Sequence, residues 1–233
     1  MESINLPLKI EQLGVVTSTQ DLMRVRLEAG EYVHGLVLQA EAQTGGRGQR
    51  ARDWQSGVGG SYQTLAVHLP DTELSPRASL AVAVGLAQTL PRYGVSVGVK
   101  WPNDLLYRRK KLAGVLLERA RQHLLIGVGM NVNNEVPPGA VGLRGWDVAG
   151  AHMVVLEGIQ VGLALLTSPS ASLVEAYAPY DLLKGQRVEI MERRETVIGT
   201  ARGVSEAGDL LVESGEGPRA CRGQLMRFSL GVI

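Results

Sequence analysis

The chain has 233 residues, 45% apolar and 20% charged, with 24 Lys+Arg against 23 Asp+Glu and a formal charge of +1. This is the composition of an ordinary globular protein, one domain or a domain with a small appendage at roughly 100–200 residues per domain. Near-zero charge removes bulk electrostatic attraction to nucleic acid or an acidic membrane surface, and the single cysteine, Cys221, allows no internal disulfide.

The opening residues, MESINLPLKI, are acidic at Glu2 and lack the charged-then-apolar pattern of a signal peptide. No run approaches the roughly 18 consecutive apolar residues of a membrane span. A cytoplasmic protein without membrane contact is the expectation. Thr17-Ser18-Thr19 supplies N-cap chemistry for a helix that ends at Gly30. Residues 32–39 are β-rich, and residues 43–60 form a glycine-rich loop with six glycines and three arginines. Residues 62–69 alternate as a strand. Ser75-Pro76 opens a helix to about residue 90, with serine as N-cap and proline at N1. Residues 95–100, 112–118 and 124–132 are β-type runs, and 105–112 reads as a hairpin around Arg108-Arg109-Lys110. Residues 133–150 read as a loop, and 154–166 and 172–183 as helices. After Gly185 come four short strands, at 188–190, 197–201, 210–212 and 225–228, with turns at 206–208 and 215–218. That pattern suggests a small β-barrel.

Two constellations carry chemistry. In Gly45-Gly46-Arg47-Gly48-Gln49-Arg50-Ala51-Arg52-Asp53-Trp54, glycines let backbone N–H groups approach an anion and arginines neutralise its charge. Trp54 offers a stacking wall. The competing reading is a solvated basic loop. It is not a Walker A loop, because no Gly-Lys-[Ser/Thr] follows, and Gly127-Val128-Gly129 lacks the third glycine of a dinucleotide fingerprint. The second constellation is Lys100-Trp101-Pro102-Asn103-Asp104, with Lys110-Lys111-Leu112-Ala113-Gly114 downstream. A carboxylate beside lysines suits a Mg²⁺–phosphate site, with a salt-bridged surface hairpin as the alternative. The four histidines are too far apart in sequence for a metal motif, and Cys221 reads as a packed residue.

Ser18-Thr19, Gln43 with Gly46-Arg47-Gly48, Trp54, Gly59-Gly60-Ser61-Tyr62, Lys100-Trp101-Pro102-Asn103-Asp104, Lys111-Leu112-Ala113-Gly114 and Gly129-Met130-Asn131-Val132 stand in one order along the chain. This set resembles the biotin protein ligases over residues 17–132, and less closely over 185–229. The resemblance implies an α+β fold: a mixed-sheet catalytic domain over residues 1–183 and a small SH3-like β-barrel over 184–233. It implies a ligase that forms biotinyl-5′-adenylate from biotin and ATP, accompanied by Mg²⁺. The biotinyl group then passes to a lysine of a biotin carboxyl carrier protein. By this likeness Ser18, Thr19, Gln43, Arg47, Tyr62, Lys111 and Gly114 line the biotin site. Arg50, Arg52, Trp54, Lys100, Asn103 and Asn131 lie near the adenylate, and Lys111, Arg47 and Asp104 carry the chemistry. Asp104 is a candidate base for the carrier lysine, with metal binding as its rival role.

Two positions depart from the family pattern. Gln49 replaces the second arginine of the usual Gly-Arg-Gly-Arg, and Ser61 replaces a leucine, which suggests a more polar wall. Only about sixteen residues precede Thr17, so no helix-turn-helix and no direct DNA binding are expected; the chain is expected to be a monomer or homodimer. The alternatives are a lipoate or octanoate transferase of similar fold, and a non-catalytic regulator that binds biotinyl-adenylate.

Overall fold

The structure is a computed structural model and describes residues 6–69, 76–192 and 195–228. Ser18, in extended conformation, accepts a hydrogen bond from the Asp21 N–H and starts helix α1 (Thr19–Glu28). Left-handed Gly30 follows its C-cap. Helix α2 (Pro76–Thr89) begins at the expected proline, while its proposed cap, Ser75, lies outside the described residues. Helix α3 (Val148–Thr167) starts six residues before the sequence expectation, because Asp147 caps it through the Gly150 N–H. The helix expected over 172–183 is shorter, α4 (Leu173–Tyr177), followed by a 3-10 turn containing Pro179.

Seven strands make the main sheet: β1 (Lys9–Val16), β2 (Leu36–Gln43), β3 (Ser61–His68), β4 (Gly98–Lys100), β5 (Asp104–Tyr107), β6 (Lys110–Ala120) and β7 (His123–Met130), in the order β1-β2-β3-β7-β6-β5-β4. Only β1 and β2 pair in parallel, so the sheet is mixed. Arg108 and Arg109, both at positive φ, turn the β5–β6 hairpin. One sheet face packs on α1 through Met23, Leu27, Leu38, Ala66 and Leu125. The other carries α2 and α3 over the larger core. By length and composition α3 would cross a membrane, but 61% of its most apolar window is buried inside the protein, as in a core helix.

A second, antiparallel sheet holds β8 (Arg187–Glu192), β9 (Glu195–Val204), β10 (Leu210–Ser214), β11 (Gly217–Cys221) and β12 (Gln224–Phe228), in the order β11-β10-β9-β8-β12. Strand β11 begins inside the turn expected over 215–218 and continues to Cys221, a strand the sequence reading did not include. Its Pro218 is tolerated because β11 lies at the sheet edge. The turn before β10 docks on the first unit: the Trp101 indole N–H donates to Gly208 O at 2.8 Å, and Glu206 accepts from Leu173 N and Ser172 Oγ at 2.9 and 2.6 Å.

Candidate active site

Three cavities meet at one corner of the main sheet, and Trp54 and Lys111 line all of them. The first opens beside the N-terminus of α1. Its floor is bare sheet, because Gly114, Gly127 and Gly129 carry no side chains there. A Cβ on Gly129 would lie 2.5 Å from Trp54 Nε1, and one on Gly114 would lie 3.2 Å from the same indole. Ser18, Thr19, Gln43, Arg47, Tyr62, Lys111 and Gly114, the seven residues expected at one subsite, all line this cavity.

A β-bulge brings Lys111 there. Leu106 pairs with Lys111 and Leu105 with Ala113, leaving Leu112 as the extra residue on β6. Leu112 and Ala113 both enter the core, while Lys111 and Gly114 face the cavity. Loop 139–141 then fixes the strand from outside: Lys111 N donates to Gly139 O at 3.0 Å, and Lys111 O accepts from Val141 N at 2.9 Å.

Hydrogen bonds immobilise the polar wall. The Gln43 side-chain oxygen accepts from Thr19 N at 2.8 Å, and its amide donates to Ser56 Oγ at 2.8 Å. Thr19 Oγ1 lies 2.9 Å from Thr64 Oγ1, and Thr64 donates to Gln20 Oε1 at 3.0 Å. The Tyr62 hydroxyl donates to Gly57 O at 2.8 Å, and burial pushes its phenol pKa upward. Sequence reading missed Gln20, Ser56, Thr64 and Gly127. Ser61 adds no polar wall: its hydroxyl meets His152 Nδ1 at 2.9 Å on the α3 side, and it does not line the cavity. Period-2 alternation, with Tyr62 facing the pocket, dictates this.

The Arg47 guanidinium binds Glu118 through two nitrogens at 2.9 and 3.0 Å and Asp21 at 2.6 Å, and Arg24 also holds Glu118 at 3.1 Å. Glu118 thereby raises the Arg47 pKa, and although burial opposes its own ionisation, Arg47 and Arg24 hold its carboxyl below the ordinary value. Two buried donors at this cavity, Arg47 Nε and Trp54 Nε1, have no hydrogen-bond partner among the described residues. Buried N–H groups are seldom left so.

The second cavity is cationic. Arg50, Arg52, Lys100 and Lys111 line it against Asp53 and Asp104, and Asn103 borders it, with Gln224 and Leu225 of β12 closing one side. Arg50 and Arg52 form no ion pair among the described residues, and burial followed by the Arg52 charge lowers the Arg50 pKa. Asp104 is clasped by Lys111 Nζ at 2.7 Å and Lys100 Nζ at 3.1 Å. Asn103 is pinned to β6, donating to Val115 O at 2.7 Å and accepting from Val115 N at 3.0 Å. Asn131 lines only the third cavity, with Asp53, Gln55, Pro137 and Ala140. Among the described residues no group of three or more His, Cys, Asp or Glu side chains could hold a metal ion.

The family model described as "Biotin/lipoate A/B protein ligase family" matches residues 13–131. The Biotin--[acetyl-CoA-carboxylase] ligase of Mycobacterium tuberculosis is 32% identical over 224 residues, spanning 88% of this chain and 84% of that protein. The bifunctional ligase/repressor BirA of Escherichia coli is 30% identical, over 86% and 68%. Among solved structures, the biotin protein ligase of Aquifex aeolicus in complex with biotin and ATP superposes with a TM-score of 0.82 at 27% identity, covering 96% of this chain and 99% of that one.

Proposed function

This chain belongs to the biotin/lipoate A/B protein ligase family, and on that premise we propose that it is an ATP-dependent biotin ligase. It joins biotin to AMP and then transfers the biotinyl group to a lysine of a biotin carboxyl carrier protein. One observation carries this reading: a polar, glycine-floored cavity and a cationic cavity share Lys111 and Trp54 as their common wall. Biotin's ureido head suits the fixed polar groups of the first cavity, and the triphosphate suits the unpaired arginines of the second. A lipoyl or octanoyl chain has no ureido group to meet the polar wall that Ser18, Thr19 and Gln43 present to the cavity.

In the first half-reaction a biotin carboxylate oxygen attacks the α-phosphorus of ATP. The bond from that phosphorus to the bridging oxygen breaks, and pyrophosphate leaves. Two anions must meet, and the ammonium of Lys111 stands at the junction to offset their repulsion. Arg47 serves differently: its charge is met by Glu118 and Asp21, so it orders the loop, and Nε and loop amides remain for the ligand. In the second half-reaction the carrier amine attacks the acyl carbon, AMP departs, and the amine's proton passes to Asp104. That role requires Lys100 and Lys111 to turn from Asp104 to phosphate oxygens.

The residues do not fit a protein-held Mg²⁺: of the two carboxylates in the second cavity, Asp104 is already engaged by two ammonium groups, and with Asp53 it makes no group of three possible ligands among the described residues. A magnesium ion here belongs to the triphosphate, where it keeps most of its waters. The C-terminal sheet, β8 to β12, borders the nucleotide side through Gln224 and Leu225. Consumption of ATP supports a cytoplasmic reaction. Pyrophosphate exchange into ATP, run with biotin, lipoate or octanoate, tests the reading. Exchange with biotin alone supports it, and exchange with lipoate or octanoate instead overturns it.

A further inference from the structure

We infer that Gln20 and Thr64 fix the direction of the Thr19 hydroxyl hydrogen, making Thr19 an obligate acceptor that selects a ligand presenting an N–H. This inference rests on the biotin reading and names two residues that line the same cavity and act through Thr19. Gln20 Nε2 donates to the β7 carbonyl of Leu125 at 3.3 Å, so Gln20 must turn Oε1 toward Thr64. Reversing that amide would set its oxygen against the carbonyl of Leu125. The Thr64 hydroxyl therefore spends its one hydrogen on Gln20 Oε1, at 3.0 Å. The 2.9 Å contact between Thr64 and Thr19 can then run only from Thr19 to Thr64.

The one hydrogen of the Thr19 hydroxyl has a second, longer acceptor in Gln43 Oε1 at 3.1 Å, which already accepts from Thr19 N at 2.8 Å. Either acceptor draws the hydrogen away from the cavity, and the relay favours Thr64. Thr19, Gln20 and Thr64 are 4%, 3% and 0% exposed, so the relay presents little of its surface to water. Gly127 makes room for the relay, because a Cβ there would sit 2.6 Å from Gln20 Oε1. With its hydrogen directed inward, Thr19 Oγ1 offers only lone pairs to the cavity. A ligand N–H satisfies them, whereas a ligand oxygen at that point meets lone pair against lone pair. The cyclic urea of biotin carries an N–H on each flank of its carbonyl. Gln20 and Thr64 are thus positioning residues for specificity.

The test is calorimetric binding of biotin and of the two carbamate isomers in which one or the other ring N–H is replaced by oxygen. Proteins compared are the unsubstituted chain, Thr64→Val, Thr64→Ser and Gln20→Leu. In the unsubstituted protein one isomer is expected to bind about 100-fold more weakly than biotin. In Thr64→Val and Gln20→Leu the Thr19 hydroxyl loses Thr64 as a fixed acceptor and keeps only the longer Gln43 contact, so it can turn toward a ligand oxygen and that ratio should fall to about tenfold or less. Thr64→Ser keeps the hydroxyl and should keep the ratio. General loosening of the pocket would weaken biotin and carbamate alike and leave the ratio unchanged; that result overturns the inference. So does equal binding of biotin and both carbamates by the unsubstituted protein. Failure of the unsubstituted protein to bind biotin at all overturns the biotin reading itself, and the inference with it.

Discussion

Arg47 and Glu118, 71 residues apart, meet in a two-point ion pair at 2.9 and 3.0 Å that ties the glycine-rich loop to β6. Asp21 and Arg24 of α1 join the same cluster, so three elements that frame the first cavity converge on one half-buried network. Its function is order more than net charge.

Glu118→Gln keeps the shape and removes the charge. Charge-assisted bonds exceed neutral ones, with a discount for partial exposure, so the KM for biotin should rise about five- to tenfold. Glu118→Asp should fall between. The pH sign follows from the lowered carboxyl: the pair's stabilisation is complete above the ordinary value of 4.5 and is lost as pH falls through the folded-state value. An unchanged biotin KM in Glu118→Gln would mean that the loop is ordered by other contacts.

Lys111→Ala should nearly abolish adenylate formation in a folded protein. Removing one preorganised contact to developing charge costs on the order of 10²–10³ in rate. Pyrophosphate exchange within a few fold of the unsubstituted enzyme would remove Lys111 from this role.

The α2–α3 crossing predicts a stability effect remote from the site. A Cβ on Gly85 would collide with Gly158 O and Gly162 N, and one on Gly162 would lie 2.6 Å from Val82 Cα. Backbone cannot give way as a flexible side chain can, so Gly85→Ala or Gly162→Ala should cost about 1–3 kcal/mol. Denaturant midpoints measure it, and a midpoint shift near zero would show that the helices can separate at little cost.

His152 supplies a second pH signature. Burial pushes its folded pKa down to about 4, against 6.5 ordinarily, with only partial compensation from Asp147. Between those values the unfolded chain binds a proton that the native chain excludes. Stability should therefore fall as pH drops below 6.5, by at most about 1.4 kcal/mol per unit, levelling near 4. His152→Gln should flatten that part of the profile. Parallel profiles for the two proteins would show that the imidazole is not held neutral.

Much of this was legible in the sequence, and the exceptions have physical reasons. Ser18, Pro76 and Gly30 announce helix ends through local chemistry. Strand β1, with the sequence KIEQLGVV, was not anticipated, because it is a parallel edge strand whose exposures do not alternate cleanly. Strand β11 was hidden by Gly217 and Pro218. The site residues within motifs were readable because glycines, arginines and lysines cluster along the chain. Gln20 and Thr64 were not, since their meaning arises only when strands 44 and 105 residues away fold over α1. Lys111 faces the pocket only because of a bulge that no periodicity reveals.

Gln49 lines both the first and the second cavity, beside the point where biotin and the α-phosphate would join. An arginine there would hold the adenylate phosphate by a bidentate charged contact, whereas glutamine offers neutral ones. Charged hydrogen bonds contribute about 1.5–3 kcal/mol against about 0.5–1.5 for neutral ones, a difference of about five- to tenfold in retention. Arg50 and Arg52 border the second cavity without carboxylate partners among the described residues, and Arg50 stands at φ +58. Gln49→Arg should slow the release of biotinyl-adenylate about five- to tenfold. The measurement is the dissociation rate of preformed adenylate from the two proteins. Equal rates would show that Arg50 or Arg52 already grips the phosphate and that position 49 contributes nothing to retention.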